Sequence, residues 1–209
     1  MSKKKLKVGI IAAEHSGDRL GSKLLESLQN SFEVDLFGLG GPQVNSSKIV
    51  TPQGIDYKDL HVMGLIDPLI NLPKILSIRK KLLNLFMSNK IDIFIGVDSP
   101  DFNMFFHKKL KLQNIKTIQV VSPSVWGWRE NRIHAIQAHV DLTMCLFKFE
   151  CNFYDQKNMQ SFFLGHPFSQ LRPRKIHEAI SEYGLDSSNN FISILPGSRE
   201  SEISQLMPV

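Results

Sequence analysis

Apolar, β-rich runs recur along the chain at Lys7–Ala13, Val34–Gly38, Ile91–Val97, Lys116–Val121, Leu142–Leu146 and Phe162–Gly165. As a set they lack the apolar/polar alternation of half-exposed strands, as expected for strands covered on both faces. Segments with helical spacing lie between them, Arg19–Gln29 and Lys74–Ser88 among them, long enough to carry the chain from one strand to the next in parallel. The pattern predicts an α/β domain with a doubly wound parallel sheet over residues 1–168. After Gly165-His166-Pro167 the composition turns polar and basic, with Pro167 and Pro173 interrupting regular structure, and residues 169–189 read as a linker. A last apolar run, Phe191–Leu195, leads into Pro196-Gly197-Ser198-Arg199. It reads as the first strand and phosphate turn of a second α/β unit over residues 190–209. Alone that piece is too short to bury its own apolar surface, so a partner chain or a missing C-terminal half is expected to complete it.

In an open parallel sheet, ligands gather outside the carboxyl ends of the strands, which makes the residues after each run the candidates for chemistry. The first run is followed by Glu14-His15-Ser16-Gly17-Asp18. Ser16 or Asp18 is placed to cap the next helix, whose free N–H groups are a candidate anion site, although the dinucleotide pattern G-x-G-x-x-G is absent. The glycines of Gly38-Leu39-Gly40-Gly41-Pro42 supply either a close backbone approach or a simple tight turn. The third run delivers Asp98 to the ligand edge as a candidate general base, with an N-cap as its alternative role; Asp101 and Asn103 are candidate caps behind it. Both tryptophans follow the fourth run, in Ser122-Pro-Ser-Val-Trp-Gly-Trp-Arg-Glu-Asn-Arg132. Large aromatics beside arginines in a connection mark a surface for a phosphate or carboxylate ligand, or else a cover over the core.

Composition narrows the classes. With 209 residues, 42% hydrophobic and 22% charged, the chain has material for one domain and part of another. A net charge of +5 suits anionic partners without indicating nucleic acid. Cys145 and Cys151 are too few for a disulfide framework or a zinc site and read as reduced cytosolic thiols. There is no D-x-D pair and no metal-ligand spacing among the histidines, so no metal or cofactor is implied. No apolar stretch is long enough for a signal peptide or a bilayer span, and a soluble or peripheral protein is expected. Residues 62–72 are nonetheless strongly apolar and precede the basic Lys74, Arg79, Lys80 and Lys81. This combination suits shallow insertion at an anionic membrane through Val62, Met63, Leu65, Ile66, Leu69 and Leu72, with an ordinary crossover helix as the alternative.

Taken in order, Ala13-Glu-His-Ser-Gly-Asp18, Gly38-Leu-Gly-Gly-Pro42, Val62-Met-Gly-Leu65, Asp98-Ser-Pro-Asp-Phe-Asn103, Ser122-Pro-Ser-Val-Trp-Gly-Trp-Arg129, Gly165-His-Pro167 and Leu195-Pro-Gly-Ser-Arg199 resemble the lipid-A-disaccharide synthase family. The resemblance implies a GT-B glycosyltransferase whose Rossmann-like N-terminal, acceptor-side domain is present here with the first strand of the nucleotide-binding domain. It implies an inverting transfer that condenses UDP-2,3-diacylglucosamine with 2,3-diacylglucosamine 1-phosphate to lipid A disaccharide 1-phosphate and UDP, without a cofactor. Asp98 is then the base. Glu14, Ser16, Asp18, Asn103, Trp126, Trp128, Arg129 and Arg132 bind substrate, and Ser198 and Arg199 hold the nucleotide diphosphate. The expected setting is the cytoplasmic face of the inner membrane, with a homodimer or a completing C-terminal half as partner. Ala13 stands where the family has glycine. The alternative is a non-catalytic remnant that binds acylated sugar or membrane.

Overall fold

In a computed structural model of the chain, residues 3–12, 14–61, 72–127, 130–169, 171–186, 188–196, 203–204 and 206–207 are described. The apolar runs become strands because each finds a parallel neighbour for its backbone groups: β1 (Lys4–Ala12), β2 (Phe32–Leu39), β3 (Ile93–Val97), β4 (Lys116–Val120), β5 (Leu142–Cys145) and β6 (Ser161–Phe163). All the pairings are parallel, in the order β2-β1-β3-β4-β5-β6. The sequence thus builds the α/β, doubly wound parallel sheet expected of it.

The period-two geometry of the strands sorts their side chains onto two faces. Ile11, Phe37, Leu39 and Phe94 point to one face and meet Leu60 of the short α3 (Lys58–His61), Ile78, Leu82 and Phe86 of α4 (Leu72–Asn89) and Phe106 and Leu110 of α5 (Pro100–Lys111). Val8, Ile10, Ala12, Leu36, Ile95 and Val97 point to the other and meet Leu25 of α1 (His15–Ser31) together with Val44 of the short α2 (Pro42–Asn45). A third apolar cluster joins Ile133 and Ile136 of α6 (Ile133–His139) to Cys145 and to Tyr154 of α7 (Lys148–Asp155). Gly38 is required inside β2: its φ is +141°, and a Cβ there would lie 1.8 Å from the Ile10 carbonyl oxygen. Cys145 is buried, Cys151 is half-buried, and both are free thiols.

The chain divides into two compact units, residues 1–166 and 167–209. In the second, the helix Ile176–Glu182 falls within the stretch read as linker. The strand expected at Phe191–Leu195 does not form; those residues carry no regular structure, and Ile192 and Leu195 are almost fully exposed. No strand neighbour lies among the described residues of this unit, and a single strand leaves its N–H and C=O groups unpaired. Of the apolar residues expected at a membrane, Leu72 opens α4 and is exposed, whereas Val62, Met63, Leu65, Ile66 and Leu69 lie outside the described residues. The basic face of α4 is largely engaged with the protein itself. Lys74 pairs with Asp59 at 2.7 Å, Lys81 donates to the Gln53 carbonyl, and Arg79 lies over the rings of Phe102 and Phe105. Among the described residues no helix is long and apolar enough to cross a membrane.

Candidate active site

The strand order reverses direction at β1, with β2 on one side and β3 on the other, so the crossovers leaving β1 and β3 part to opposite faces and open a crevice between the two strand ends. The two most suggestive sequence segments arrive there together. Ser16, in the first turn of α1, donates its hydroxyl to Asp98 Oδ2 at 3.0 Å, and Ser99 Oγ donates to Glu14 Oε1 at 3.4 Å. Residues more than eighty positions apart in sequence thereby share one site.

The backbone at this rim is strained. Asp98 and Ser99 have φ of 54° and 38°, in the left-handed region, and Val121 at the end of the neighbouring β4 has φ of 70°. For residues with a Cβ such angles cost about 1–3 kcal/mol each, and a β-branched valine is among the least tolerant. Compensating bonds surround the strain. The Asp98 N–H donates to the Val120 carbonyl, the Asp98 carboxylate accepts the Ser99 N–H at 3.0 Å, and its carbonyl accepts Asn103 Nδ2 at 2.8 Å. The turn aims the Asp98 side chain into the crevice, beside the N-terminus of α1.

The remaining candidates separate by role. Asp18 is buried, and its two carboxylate oxygens accept the N–H groups of Gln43 and Val44 at 2.9 Å each. It caps α2 rather than its own helix, whose N-cap position is Glu14, without a side-chain cap. The close approach needs Gly41, where a Cβ would sit 2.6 Å from Asp18 Cγ. Asn103, wholly buried, holds the Asp98 carbonyl instead of capping α5. Trp126 is half exposed, with its indole N–H 3.4 Å from Glu150 Oε1 and its ring edge-on to Phe149 at 4.8 Å. Phe147 and Phe149, both half exposed, extend that aromatic surface beyond β5. Glu150 also accepts the N–H groups of Leu146 and Phe147, fixing the start of α7 beneath it. Arg132 pairs with Asp101 at 2.7 Å. Trp128, Arg129, Ser198, Arg199 and Ala13 lie outside the described residues.

Sequence reasoning passed over three groups near Asp98: Ser99, His107 and Gln119. His107 and Gln119 are wholly buried and bonded to each other at 2.9 Å, and Gln119 also reaches the Asp98 carbonyl at 3.1 Å. The signal was there to be read. A glutamine inside the apolar run Lys116–Val121 and a histidine among the phenylalanines of α5 must each find a polar partner when buried. Burial pushes the His107 imidazole down to about 4, so it is neutral at physiological pH. Among the described residues no cluster of three or more His, Cys, Asp or Glu side chains is placed to hold a metal ion.

The family model described as lipid-A-disaccharide synthetase matches residues 8–209. The lipid-A-disaccharide synthase of Acinetobacter baylyi is 39% identical over 214 residues, covering 100% of this chain and 54% of that protein. That of Pseudoalteromonas translucida is 42% identical over 206 residues, covering 97% and 53%. The chain spans about half the length of the curated relatives it matches. A crystal structure of Acinetobacter baumannii MurG superposes with a TM-score of 0.46 at 14% identity, over 83% of this chain and 47% of that one, a likeness too distant to carry an argument.

Proposed function

The chain belongs to the lipid-A-disaccharide synthetase family, and from that premise we propose that it carries the acceptor side and the general base of a glycosyl transfer in lipid A biosynthesis. The acceptor is 2,3-diacylglucosamine 1-phosphate and the donor UDP-2,3-diacylglucosamine. The acceptor's 6-hydroxyl oxygen bonds to the donor's anomeric carbon while the bond from that carbon to the diphosphate breaks, and UDP leaves with the electron pair. The hydroxyl proton passes to the Asp98 carboxylate. Inversion at the anomeric carbon follows from attack on the face opposite the leaving diphosphate.

The observation that carries this reading is the meeting of Glu14 and Ser16 with Asp98 and Ser99 at the switch point. A base must lie within hydrogen-bond reach of the proton it takes, and a carboxylate turned into a crevice by a strained backbone meets that need. Ser16 and Ser99 fix the carboxylate's orientation, and an ionised carboxylate accepts several hydrogen bonds at once, the incoming hydroxyl's among them. Glu14 takes the role of a second acceptor for sugar hydroxyls, Trp126 and Arg132 line the sugar's approach, and Trp128 and Arg129, of the same sequence segment, are assigned to substrate with them. Ser198 and Arg199 are assigned to the donor diphosphate, where a hydroxyl and a guanidinium stabilise the leaving charge. Asp18 and Asn103 support the site from behind. The exposed Leu72 and Leu76 at the start of α4 suit a peripheral position on the inner membrane's cytoplasmic face, where the acyl chains enter.

Titration of the labelled chain with 2,3-diacylglucosamine 1-phosphate in detergent micelles tests the acceptor-side assignment. Backbone resonances of Ser16, Asp98 and Ser99 are expected to shift in a saturable way. Saturable shifts that leave these three untouched refute it.

A further inference from the structure

Asp98 and Ser99 hold an unfavourable conformation, and the groups that keep them there are buried behind the site. The Asp98 carbonyl is gripped from two sides, by Asn103 Nδ2 of α5 at 2.8 Å and by Gln119 Nε2 of β4 at 3.1 Å. The same Gln119 amide also faces the carbonyls of Val120 at 3.0 Å and Val121 at 3.3 Å. One side-chain NH2 group therefore ties together the two left-handed turns of the rim, that of Asp98–Ser99 and that of Val121.

A glutamine can do this only if its amide points the right way. With the amide reversed, Gln119 Oε1 would confront three carbonyl oxygens. His107 sets the choice: Gln119 Oε1 lies 2.9 Å from His107 Nε2, and His107 Nδ1 is buried with no partner among the described residues. A neutral imidazole has a single N–H, and placing it on Nε2 satisfies Gln119 Oε1 and turns the amide hydrogens towards the carbonyls. The imidazole ring is itself fixed edge-on against Phe94 at 5.1 Å.

We propose that Gln119, oriented by His107, is a positioning residue for Asp98, holding the left-handed turn that aims the carboxylate into the crevice. Gln119 touches no substrate; it acts through the backbone of the base. The proposal rests on the reading of Asp98 as the base, and because its test needs no substrate, a failure of the turn and a failure of that reading are told apart.

The test is solution NMR of the isotope-labelled 209-residue chain and three variants: Gln119→Leu, His107→Phe, and Thr143→Val as a control that removes a buried hydroxyl from β5. A strong contact between a residue's own amide and α protons marks left-handed backbone. The wild type is expected to show it at Asp98 and Ser99, with the Gln119 side-chain amide protected from exchange. In Gln119→Leu and His107→Phe the marker is expected to vanish at those two residues while the sheet amides stay protected; in Thr143→Val it persists. Persistence in Gln119→Leu and His107→Phe overturns the proposal, because a merely structural glutamine would cost stability without altering that turn. Should neither variant fold, the wild type decides: a Gln119 amide that exchanges as freely as an exposed one overturns the proposal, and a protected one supports it. If the marker behaves as expected but transfer survives replacement of Asp98, the positioning stands and the catalytic reading falls.

Discussion

Replacing Asp18 separates a structural anchor from a substrate contact. Its carboxylate is almost wholly buried and accepts two backbone N–H groups at 2.9 Å, those of Gln43 and Val44 at the start of α2. Hydrogen bonds to a charged partner contribute about 1.5–3 kcal/mol each, and loss of an N-cap costs about 0.5–2 kcal/mol. Water re-solvates part of what Asp18→Ala exposes, so the expected loss is about 3 kcal/mol. Asp18→Asn keeps the shape and one acceptor but turns an NH2 group towards the second N–H, and about 1.5 kcal/mol is expected. For a domain of this size, about 2–4 °C of melting temperature accompanies each kcal/mol, so Asp18→Ala should melt about 6–12 °C lower. The steric side offers an internal check: the Cβ of Gly41→Ala would press on Asp18 Cγ at 2.6 Å. Gly41→Ala should therefore cost less in the Asp18→Ala background than in the wild type, with a coupling of about 1 kcal/mol or more. Urea denaturation of the wild type, the three single variants and the double variant measures the free energies, and thermal melting the shift in melting temperature. A loss below about 0.5 kcal/mol for Asp18→Ala, with weakened acceptor binding, would refute the anchor and restore Asp18 as a substrate contact.

Three further outcomes follow from the fold. Burial pushes the His107 imidazole down to about 4, below its ordinary value of 6.5. The native state therefore binds fewer protons than the unfolded chain between these values, so stability is full above pH 6.5 and falls by up to about 3 kcal/mol as pH drops to 4. Denaturation at a series of pH values checks this, and His107→Phe should remove most of the slope in that window. Gly38→Ala places a Cβ against the Ile10 carbonyl at a φ of +141°, and a loss above about 3 kcal/mol, or failure to fold, is expected on thermal melting. Arg132→Ala breaks a partly exposed pair with Asp101 and should change stability by less than about 1 kcal/mol in urea.

The fold was legible because the parallel strands fall in β-rich, largely apolar runs that recur between segments of helical spacing. Ile91–Val97 and Lys116–Val121 appear within two residues of β3 and β4. Edges were harder: β1 extends back to Lys4 through charged residues, since pairing of Lys4 with Phe32 of β2 is a backbone matter to which side-chain polarity is indifferent. The site was half legible. Asp98, Glu14 and Ser16 were visible as polar residues after apolar runs, but their meeting depends on strand order, and β1 and β3 are neighbours that sequence order does not announce. Asp18 looked like a cap for its own helix, whereas only the folded chain shows α2 beside it. Gln119 and His107 lay inside elements read as core, and their partners come from different parts of the chain. The run at Phe191–Leu195 shows the converse limit: apolar, β-branched composition makes a strand only where another strand is at hand.

The central claim is that Asp98 takes the proton of the acceptor hydroxyl. Its most direct test joins residues 1–209 to the remainder of the Acinetobacter baylyi relative and measures disaccharide formation by mass spectrometry, with and without Asp98→Asn. Asparagine preserves size and can still meet Ser16, so acceptor affinity should stay within about threefold while kcat falls by about 10²–10⁴, the usual contribution of a positioned base. An Asp98→Asn enzyme that binds and turns over at the unmodified rate would contradict the account.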